Sequence, residues 1–216
     1  FKDYYKYKRV FIMRHDIDFC TNSALKIAKL ENMLDVKATY FFLVNTSFYN
    51  IYSQEHYMNI KEILNLGHEI GLHFDISHYK ECEFEKNCKK EAKAFESLFG
   101  IKNHIISFHR PLKKLLNNNK KMAGYEHTYM PKYMNDMIYC SDSQGAWLYD
   151  TPERIIKRNL NKLELKVQLL THPIWWDTKN YKTPQNKIRS FLKKRYDILK
   201  AEAKKNCKPY RKLKNE

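Results

Sequence analysis

The chain has 216 residues, which is enough for one sizeable domain and too few for two comfortable ones. Hydrophobic residues make up 43% of it, and only five glycines and six prolines occur, which excludes a collagen-like or low-complexity chain. The formal net charge of +16 would suit a polyanion such as nucleic acid or an acidic membrane face. The basic residues are spread over most predicted helices, however, and no RNA-binding motif occurs. We therefore expect a single domain over residues 1–216 and do not expect nucleic acid as its partner.

The cysteines and the hydropathy pattern indicate a compartment. Five cysteines lie far apart, in odd number and without a CxxC pair, which disfavours both a disulfide framework and a thiolate zinc site. No run of apolar residues is long enough for a membrane span, and no signal-peptide pattern opens the sequence. These features predict a chain with reduced thiols, without a transmembrane segment, in the cytoplasm. The sequence leaves the oligomeric state open.

Short runs of β-branched and aromatic residues alternate with longer helical patterns along the chain. Each short run is apolar enough to be buried on both faces, which is typical of parallel strands joined by crossover helices. Strands are predicted at residues 9–13, 38–44, 69–74, 104–109, 137–141 and 166–171.

Helix signals fill the intervals between these runs. Helices are predicted at residues 23–33, 54–66, 83–99 and 152–161. Gly67 and Gly100 end the second and third of them, and Thr151 caps the fourth just before a proline at its first turn. A long basic helix is predicted after Pro184, within residues 184–216.

Polar segments follow five of the six predicted strands. RHDID comes at the end of the first, HFDISH of the third, HRP of the fourth, SDSQGAW of the fifth and THP of the sixth. In a parallel barrel, the carboxyl ends of the strands bring catalytic groups from separate strands together. A flat doubly wound sheet would focus them at one switch point instead. The pattern favours an α/β fold with six or seven parallel strands in a closed or nearly closed (β/α) barrel.

The segment GHEIGLHFDISH, at residues 67–78, concentrates three histidines, a glutamate and an aspartate. It differs from the HExxH motif of zinc proteases because His68 and His73 are five residues apart, whereas a spacing of four places both rings on one helical face. The β-leaning EIGLHF predicts a strand instead. His68 then belongs to the preceding turn, and a structural role is expected for it.

A divalent metal with an open coordination position needs about three protein ligands, and one aspartate with two histidines is a suitable set. His73 and His78 can supply two ligands and Asp18 the third. Asp16 lies two residues before Asp18, on the same side of the predicted strand, and remains available for proton transfer. These residues predict a metal site with an adjacent carboxylate.

With these residues in place, the chain resembles the polysaccharide deacetylases, also called the NodB-homology or carbohydrate esterase family 4 group, over residues 9–173. RHDID is similar to the first family motif, usually TFDDG, and GHEIGLHFDISH to the second, usually GHEIGNHTYSH. By this resemblance Asp16 would be the general base. Asp18, His73 and His78 would be the metal ligands.

Three further motifs follow in family order. SFHRP resembles the third motif, whose arginine flanks the base, which points to Arg110. SDSQGAW is similar to the fourth, with Asp142 as partner of the catalytic histidine and Trp147 as a pocket wall. LLTHP resembles the fifth, with Leu170 lining the pocket and His172 as general acid. The family's fold is a distorted (β/α) barrel, which agrees with the strand pattern.

The chain departs from the family pattern in three of its motifs. The glycine of TFDDG is absent, and Phe19 and Cys20 follow Asp18 instead. The metal histidines are normally four residues apart and here are five, so either the loop bulges by one residue or Asp75 replaces a histidine. The third motif usually ends in Pro-Tyr, whereas Leu112 and Lys113 occupy the corresponding positions here. His109 is an addition beside the arginine, for which a structural role and a substrate contact are both open.

The resemblance implies a function. It would be a metal-dependent hydrolase that removes an N-acyl group, in the first instance acetyl, from a sugar of a bacterial surface polysaccharide or its precursor. The cofactor would be one divalent metal ion, with zinc as the default and cobalt, nickel, iron or manganese also compatible with the ligand set. Alternatives are a catalytically inactive carbohydrate-binding barrel, and a deformylase or other amidohydrolase acting on a small non-sugar amide.

Overall fold

A computed structural model describes residues 1–148, 150–177 and 183–211. Contacts divide the chain into two compact units, Phe1–Asp177 and Thr178–Glu216. The assignment of residues 1–216 to a single domain stays a prediction. In the described ranges, no helix combines the length and the apolar character that a membrane crossing requires.

The first unit contains a parallel sheet, which in the described part of the chain has seven strands. All six predicted strands are present, and the very short β5 is an addition that the sequence did not predict. The strands are β1 (Arg9–Ile17), β2 (Thr39–Leu43), β3 (Glu69–Asp75), β4 (Ile105–His109), β5 (Glu126–His127), β6 (Ile138–Ser141) and β7 (Leu165–Thr171).

The strand order is β5-β4-β3-β2-β1-β7-β6, and every described strand pair is parallel. This is the cyclic order of a seven-stranded barrel, because consecutive strands pair from β1 to β5, β6 pairs with β7, and β7 returns to β1. The described ladder does not join β5 to β6, so the sheet curls without closing. The predicted fold class, a distorted (β/α) barrel, is confirmed.

Helices connect the strands at the predicted places. Gly100 ends α3 with a φ of 66°, in the left-handed region that favours glycine, and Thr151 caps α5 through its side chain. The helices of the first unit are α1 (Thr21–Met33), α2 (Gln54–Asn65), α3 (Phe84–Phe99), α4 (Pro131–Met134) and α5 (Pro152–Arg158).

Strand β1 separates two different buried environments because its side chains alternate between the two faces of the sheet. On one face His15 contacts the Thr171 hydroxyl oxygen at 2.7 Å through Nδ1 and a carboxylate oxygen of Glu31, in α1, at 2.7 Å through Nε2. Arg14 and Asp16 point to the other face and are also buried. Polar groups are therefore satisfied on both sides of this central strand.

The face that carries Arg14 is filled below the polar residues by an apolar cluster. Gly71 of β3 permits this packing, since a Cβ atom there would lie 3.0 Å from the ring of Phe41. The buried members of the cluster are Ile12, Phe41, Ile105, Met130, Tyr133 and Met137. Larger apolar clusters pack the opposite face against α1, α2 and α3. The strand ends above the interior cluster are thus held in fixed positions.

The second unit contains α6 (Pro184–Asn206) and the single turn α7 (Lys208–Arg211). Thr183 caps α6 by accepting a hydrogen bond from the backbone of Asn186, and Pro184 occupies the first turn. The predicted basic helix is therefore present. Residues 212–216 of the predicted range lie outside the described residues.

Candidate metal and catalytic site

Three potential metal ligands meet at the carboxyl ends of β1, β3 and β4. The Nε2 atom of His73 lies 3.2 Å from Oδ1 of Asp18, and Nδ1 of His109 lies 3.2 Å from the same oxygen. One ligand atom from each residue lies within 4.8 Å of the others. Burial opposes the ionisation of Asp18, but hydrogen bonds to the two rings outweigh it and hold the pKa of that carboxyl well below its usual range.

The second ring nitrogen beside Asp18 and His73 belongs to His109, and not to His78 as the second motif suggested. A 3₁₀ turn at Ile76–His78 follows β3, and Asp75 caps it by accepting a hydrogen bond from the backbone of Ser77. This turn brings His78 Nε2 to 3.6 Å from Asp75 Oδ2. His109 instead ends β4 on the same face of the sheet as His73, two residues beyond the paired Ser107.

Asp75 does not join the metal-type group either. It pairs with Arg110, whose backbone has a φ of 54° and whose side chain is more than half exposed. The left-handed turn after β4 directs this guanidinium to Asp75 at the end of the neighbouring strand. The expected pairing of Arg110 with the general base therefore needs correction.

The guanidinium that pairs with Asp16 is that of Arg14, two residues earlier on the same face of β1. Arg14 donates from Nε to Oδ1 at 3.0 Å and from Nη2 to Oδ2 at 2.7 Å, and it is fully buried. Burial disfavours the charged form of Asp16, but the charges of Arg14 and His73 outweigh it and lower the pKa of Asp16. Asp16 is thus held as a carboxylate 3.7 Å from His73 Nε2.

Three further buried polar residues complete this network. Arg14 donates to Ser107 Oγ at 2.7 Å, to the Tyr129 hydroxyl at 2.9 Å and to Gln168 Oε1 at 3.1 Å. Ser107 donates in turn to Asp16 at 3.0 Å. None of these residues was predicted from the sequence. For Arg14, Ser107 and Gln168 the signal was a polar residue inside an apolar strand run, as in KVQLLT for Gln168 and RVFIMR for Arg14.

His172 and Asp142 form a second functional pair at the ends of β7 and β6. Asp142 lies 2.8 Å from Nδ1 of the ring and also accepts a hydrogen bond from the backbone of His172. Trp176 donates from Nε1 to the same carboxylate at 2.6 Å. Burial disfavours the imidazolium, but the bond to Asp142 and the charge of Asp18 outweigh it and raise the pKa of His172 above its usual 6.5. Its Nε2 lies 3.8 Å from Asp18 Oδ2.

The two expected pocket residues lie on this side of the site. Leu170 is buried in β7, between Arg14 of β1 and Ser141 of β6, and shares its face with Gln168 and His172. Trp147 is partly buried, with its ring 5.7 Å from that of Trp176. Trp176 keeps half of its surface exposed and is the more accessible of the two rings.

The group at Asp18 suits a divalent cation by its chemistry. One carboxylate and two imidazoles are ligands that zinc and the later first-row metals accept. Within the described residues Nδ1 of the buried His73 has no hydrogen-bond partner, while its Nε2 faces the carboxylates. Nε2 would therefore be the coordinating atom of His73. Nδ1 would coordinate from His109.

No family model and no curated relative matches the chain. Solved structures similar to it include a chitin deacetylase from the fungal pathogen Colletotrichum lindemuthianum, at 16% identity and a TM-score of 0.49, over 87% of this chain and 82% of that one. A peptidoglycan deacetylase from Bacillus subtilis is 14% identical, with a TM-score of 0.44, over 88% of this chain and 84% of that one.

A pseudoenzyme of the CE4 family from Bacillus anthracis is also similar, at 14% identity and a TM-score of 0.45. The match covers 88% of this chain and 61% of that structure, so this chain spans less than two thirds of its length. At such identities the similarity concerns the fold alone. The CE4 family, to which that pseudoenzyme belongs, is also the family that the five sequence motifs resemble.

Proposed function

We propose that this chain is a metal-dependent hydrolase that removes an N-acyl group, in the first instance acetyl, from an amino sugar of a bacterial surface glycan or its precursor. The observation that carries the proposal is the convergence of three groups at one edge of the barrel. These are the Asp18–His73–His109 cluster, the carboxylate Asp16, and the His172–Asp142 pair.

A divalent metal held by Asp18, His73 and His109 would polarise the acyl carbonyl and acidify a water molecule. Zinc is the default for such ligands, with cobalt, nickel, iron and manganese as alternatives. In this assignment His78 lies outside the ligand set, and His109 is a metal ligand instead of a substrate contact.

Asp16 is suited to take the proton from the attacking water. Arg14 and Ser107 keep it ionised and fix its two oxygens, so the carboxylate does not rotate during the reaction. Oδ1 has one described hydrogen bond, from Arg14 Nε, and retains a lone pair for a proton. Arg14 thus has the positioning role that the family resemblance had given to Arg110.

His172 is suited to protonate the departing amine. Asp142 holds its Nδ1 and favours the charged ring, while Nε2 points toward Asp18. The water oxygen bonds to the acyl carbon as the carbon–nitrogen bond breaks, and the proton from Nε2 converts the leaving nitrogen into a neutral amine. The products are a carboxylic acid and an amino sugar.

The aromatic side chains next to this pair support a sugar substrate. Half of the Trp176 surface is exposed. Its Nε1 donates a hydrogen bond to Asp142, and its ring packs against that of Trp147. An indole face held in this way offers an apolar platform to the C–H face of a pyranose ring. A small non-sugar amide would not need this platform, which favours the sugar over the amidohydrolase alternative.

The test is release of primary amine from N-acetylglucosamine oligomers by the chain reconstituted with zinc or cobalt. We expect Asp16→Asn to keep its metal and lose activity by a factor of roughly 10² or more, as removal of a general base typically does. Asp136→Asn, an exposed aspartate on the surface, serves as the matched control and should retain full activity.

Two outcomes would replace the proposal. A wild-type chain that binds metal and the oligomer without releasing amine would be a carbohydrate-binding barrel. Cleavage of small formamides or acetamides with no preference for the sugar would identify an amidohydrolase of another class. If Asp16→Asn remains fully active, Asp16 is not the base.

A further inference from the structure

The second unit consists largely of an amphipathic helix that plays no part in the site described above. Helix α6 carries eight basic residues against two acidic ones over Pro184–Asn206. Its apolar residues Ile188, Leu192, Tyr196 and Leu199 follow one another at spacings of four, four and three, and so lie in one stripe along the helix.

This stripe is accessible. Leu192 is 49% exposed, Tyr196 60% and Leu199 59%, which is high for large apolar side chains. Ile198, at the margin of the stripe, is 43% exposed. Arg195 lies in the same stripe, three residues after Leu192 and four before Leu199. The exposed apolar residues around it form an apolar surface, and a surface of this kind usually marks an interaction site.

Three of the basic residues border the stripe along one side. Arg189, Lys193 and Lys200 lie at spacings of four and seven, which places them in a second line directly beside Tyr196 and Leu192. Lys194 and Lys205 lie on the other side of the helix. Lys200 lies over the ring of Tyr196 at 5.8 Å, so the two kinds of surface adjoin at atomic distance.

We propose that α6 is an interfacial helix that binds the surface of a membrane containing anionic phospholipids. The apolar stripe would enter the boundary between headgroups and acyl chains, and the bordering lysines and arginines would meet the lipid phosphates. Nucleic acid would use the basic line alone and leave the exposed leucines in water. The adjoining apolar and basic surfaces therefore favour a lipid surface over a nucleic acid.

The test is co-sedimentation of the full chain with vesicles of phosphatidylcholine alone and with vesicles that also contain phosphatidylglycerol. Binding is expected to the second kind and to weaken with added salt. The triple variant Arg189→Gln, Lys193→Gln, Lys200→Gln should lower the partition coefficient by roughly 100-fold, because each basic residue near the surface contributes about fivefold.

The matched control is a triple variant with the same loss of charge on the barrel, Lys86→Gln, Lys89→Gln, Lys90→Gln, whose side chains are exposed on α3. It should change binding by no more than about threefold, because these charges do not belong to the helix that is proposed to bind the lipid. Equal losses in both triple variants would overturn the proposal in favour of diffuse charge attraction.

A second variant tests the apolar stripe without changing charge. Leu192→Gln with Leu199→Gln should reduce vesicle binding by roughly tenfold or more, with helix content by circular dichroism unchanged. Unchanged binding would show that the stripe does not enter the lipid. Salt-dependent binding to duplex DNA without vesicle binding, or a concentration-dependent dimer that this variant abolishes, would assign the surface to nucleic acid or to a second copy of the chain.

Discussion

Arg14 and Asp16 form a buried, two-point ion pair between side chains two residues apart on one strand. Two guanidinium nitrogens face Asp16, and each donates to a different oxygen of its carboxylate, at 3.0 and 2.7 Å. Neither side chain has meaningful contact with water. The pair is further bonded to Ser107, Tyr129 and Gln168, so the candidate base is fixed by the barrel interior and not by a surface loop.

The first prediction concerns the effect on protein stability of breaking this ion pair. Arg14→Met should lower the free energy of unfolding by roughly 3 to 5 kcal/mol, because it leaves the charge of Asp16 buried without compensation. Denaturant titration by circular dichroism measures the change. Gln168 and the hydroxyl of Tyr129 would also lose the hydrogen bonds that Arg14 donates to them.

A double variant separates this charge effect from loss of packing. Arg14→Met with Asp16→Asn removes both charges and should regain a large part of the lost stability, since the residual polar group is neutral. If the double variant is no more stable than Arg14→Met alone, the cost comes from packing around position 14 and the ion pair contributes little.

The second prediction concerns the ligand set. His109→Ala and His73→Ala should each lower the metal content of the purified chain by at least roughly tenfold, while His78→Ala should leave it near the wild-type level. Elemental analysis after dialysis against a weak chelator measures this. The His78 variant is the matched control, because it removes the histidine that the second motif had indicated.

Metal binding should also weaken as the pH falls. Burial disfavours the charged His109 ring, but its hydrogen bond to Asp18 outweighs burial and raises its pKa above 6.5. A protonated ring cannot coordinate, so metal and proton compete at this nitrogen. Metal retained in the His109→Ala variant but lost in His78→Ala would restore the ligand set expected from the sequence.

The Arg14–Asp16 pair and the metal-ligand set show how much of the candidate site can be predicted from the sequence. The gathering of Asp16, Asp18, His73 and His172 at one edge followed from a general property of parallel strands, that their carboxyl ends meet. The choice between His78 and His109 depends on a 3₁₀ turn capped by Asp75, which local residue preferences do not determine. Which of the two histidines lies beside Asp18 is therefore visible only in the folded structure.

The pairing of Asp16 with Arg14 could have been predicted from the sequence. Arg14 lies at an even spacing from Asp16 on the strand, and this alone places both side chains on one face. The family motif instead indicated Arg110. The direction of the Arg110 side chain depends on a left-handed backbone conformation at that residue, which no residue pattern in the sequence predicts. The two-residue strand β5 was equally hidden, because it exists only through its pairing with β4.

The third prediction concerns a buried carboxyl outside the candidate site. Glu91 in α3 accepts a hydrogen bond from the Tyr79 hydroxyl, and burial raises its pKa from 4.5 to about 7. Between these values the folded chain binds this proton and the unfolded chain does not, so stability falls as the pH rises through the window. Above it, the folded state buries a charged carboxylate.

Glu91→Gln removes that charge and keeps an oxygen acceptor for Tyr79. Relative to wild type, the variant should gain roughly 1 to 3 kcal/mol in free energy of unfolding between about pH 5 and about pH 8. Urea titrations at the two pH values measure the difference. Glu85→Gln, on the exposed face of the same helix, provides the control. A Glu91→Gln curve parallel to wild type would mean that Glu91 titrates at its ordinary pKa.

The last prediction concerns the proton donor. In the proposed mechanism His172 must be protonated to release the amine, so activity should fall as the pH rises through its pKa, which Asp142 helps to keep above the usual value. Asp142→Asn preserves an oxygen for Nδ1 but removes the negative charge, so the alkaline limb of the rate profile should move to lower pH. Chemical shifts of the His172 ring protons in the metal-free chain should show the same displacement.

The control is Trp176→Phe, which removes the hydrogen bond that Trp176 donates to Asp142 without altering the charge. It should move the alkaline limb much less. If the limb keeps its position in Asp142→Asn, a group other than His172 donates the proton.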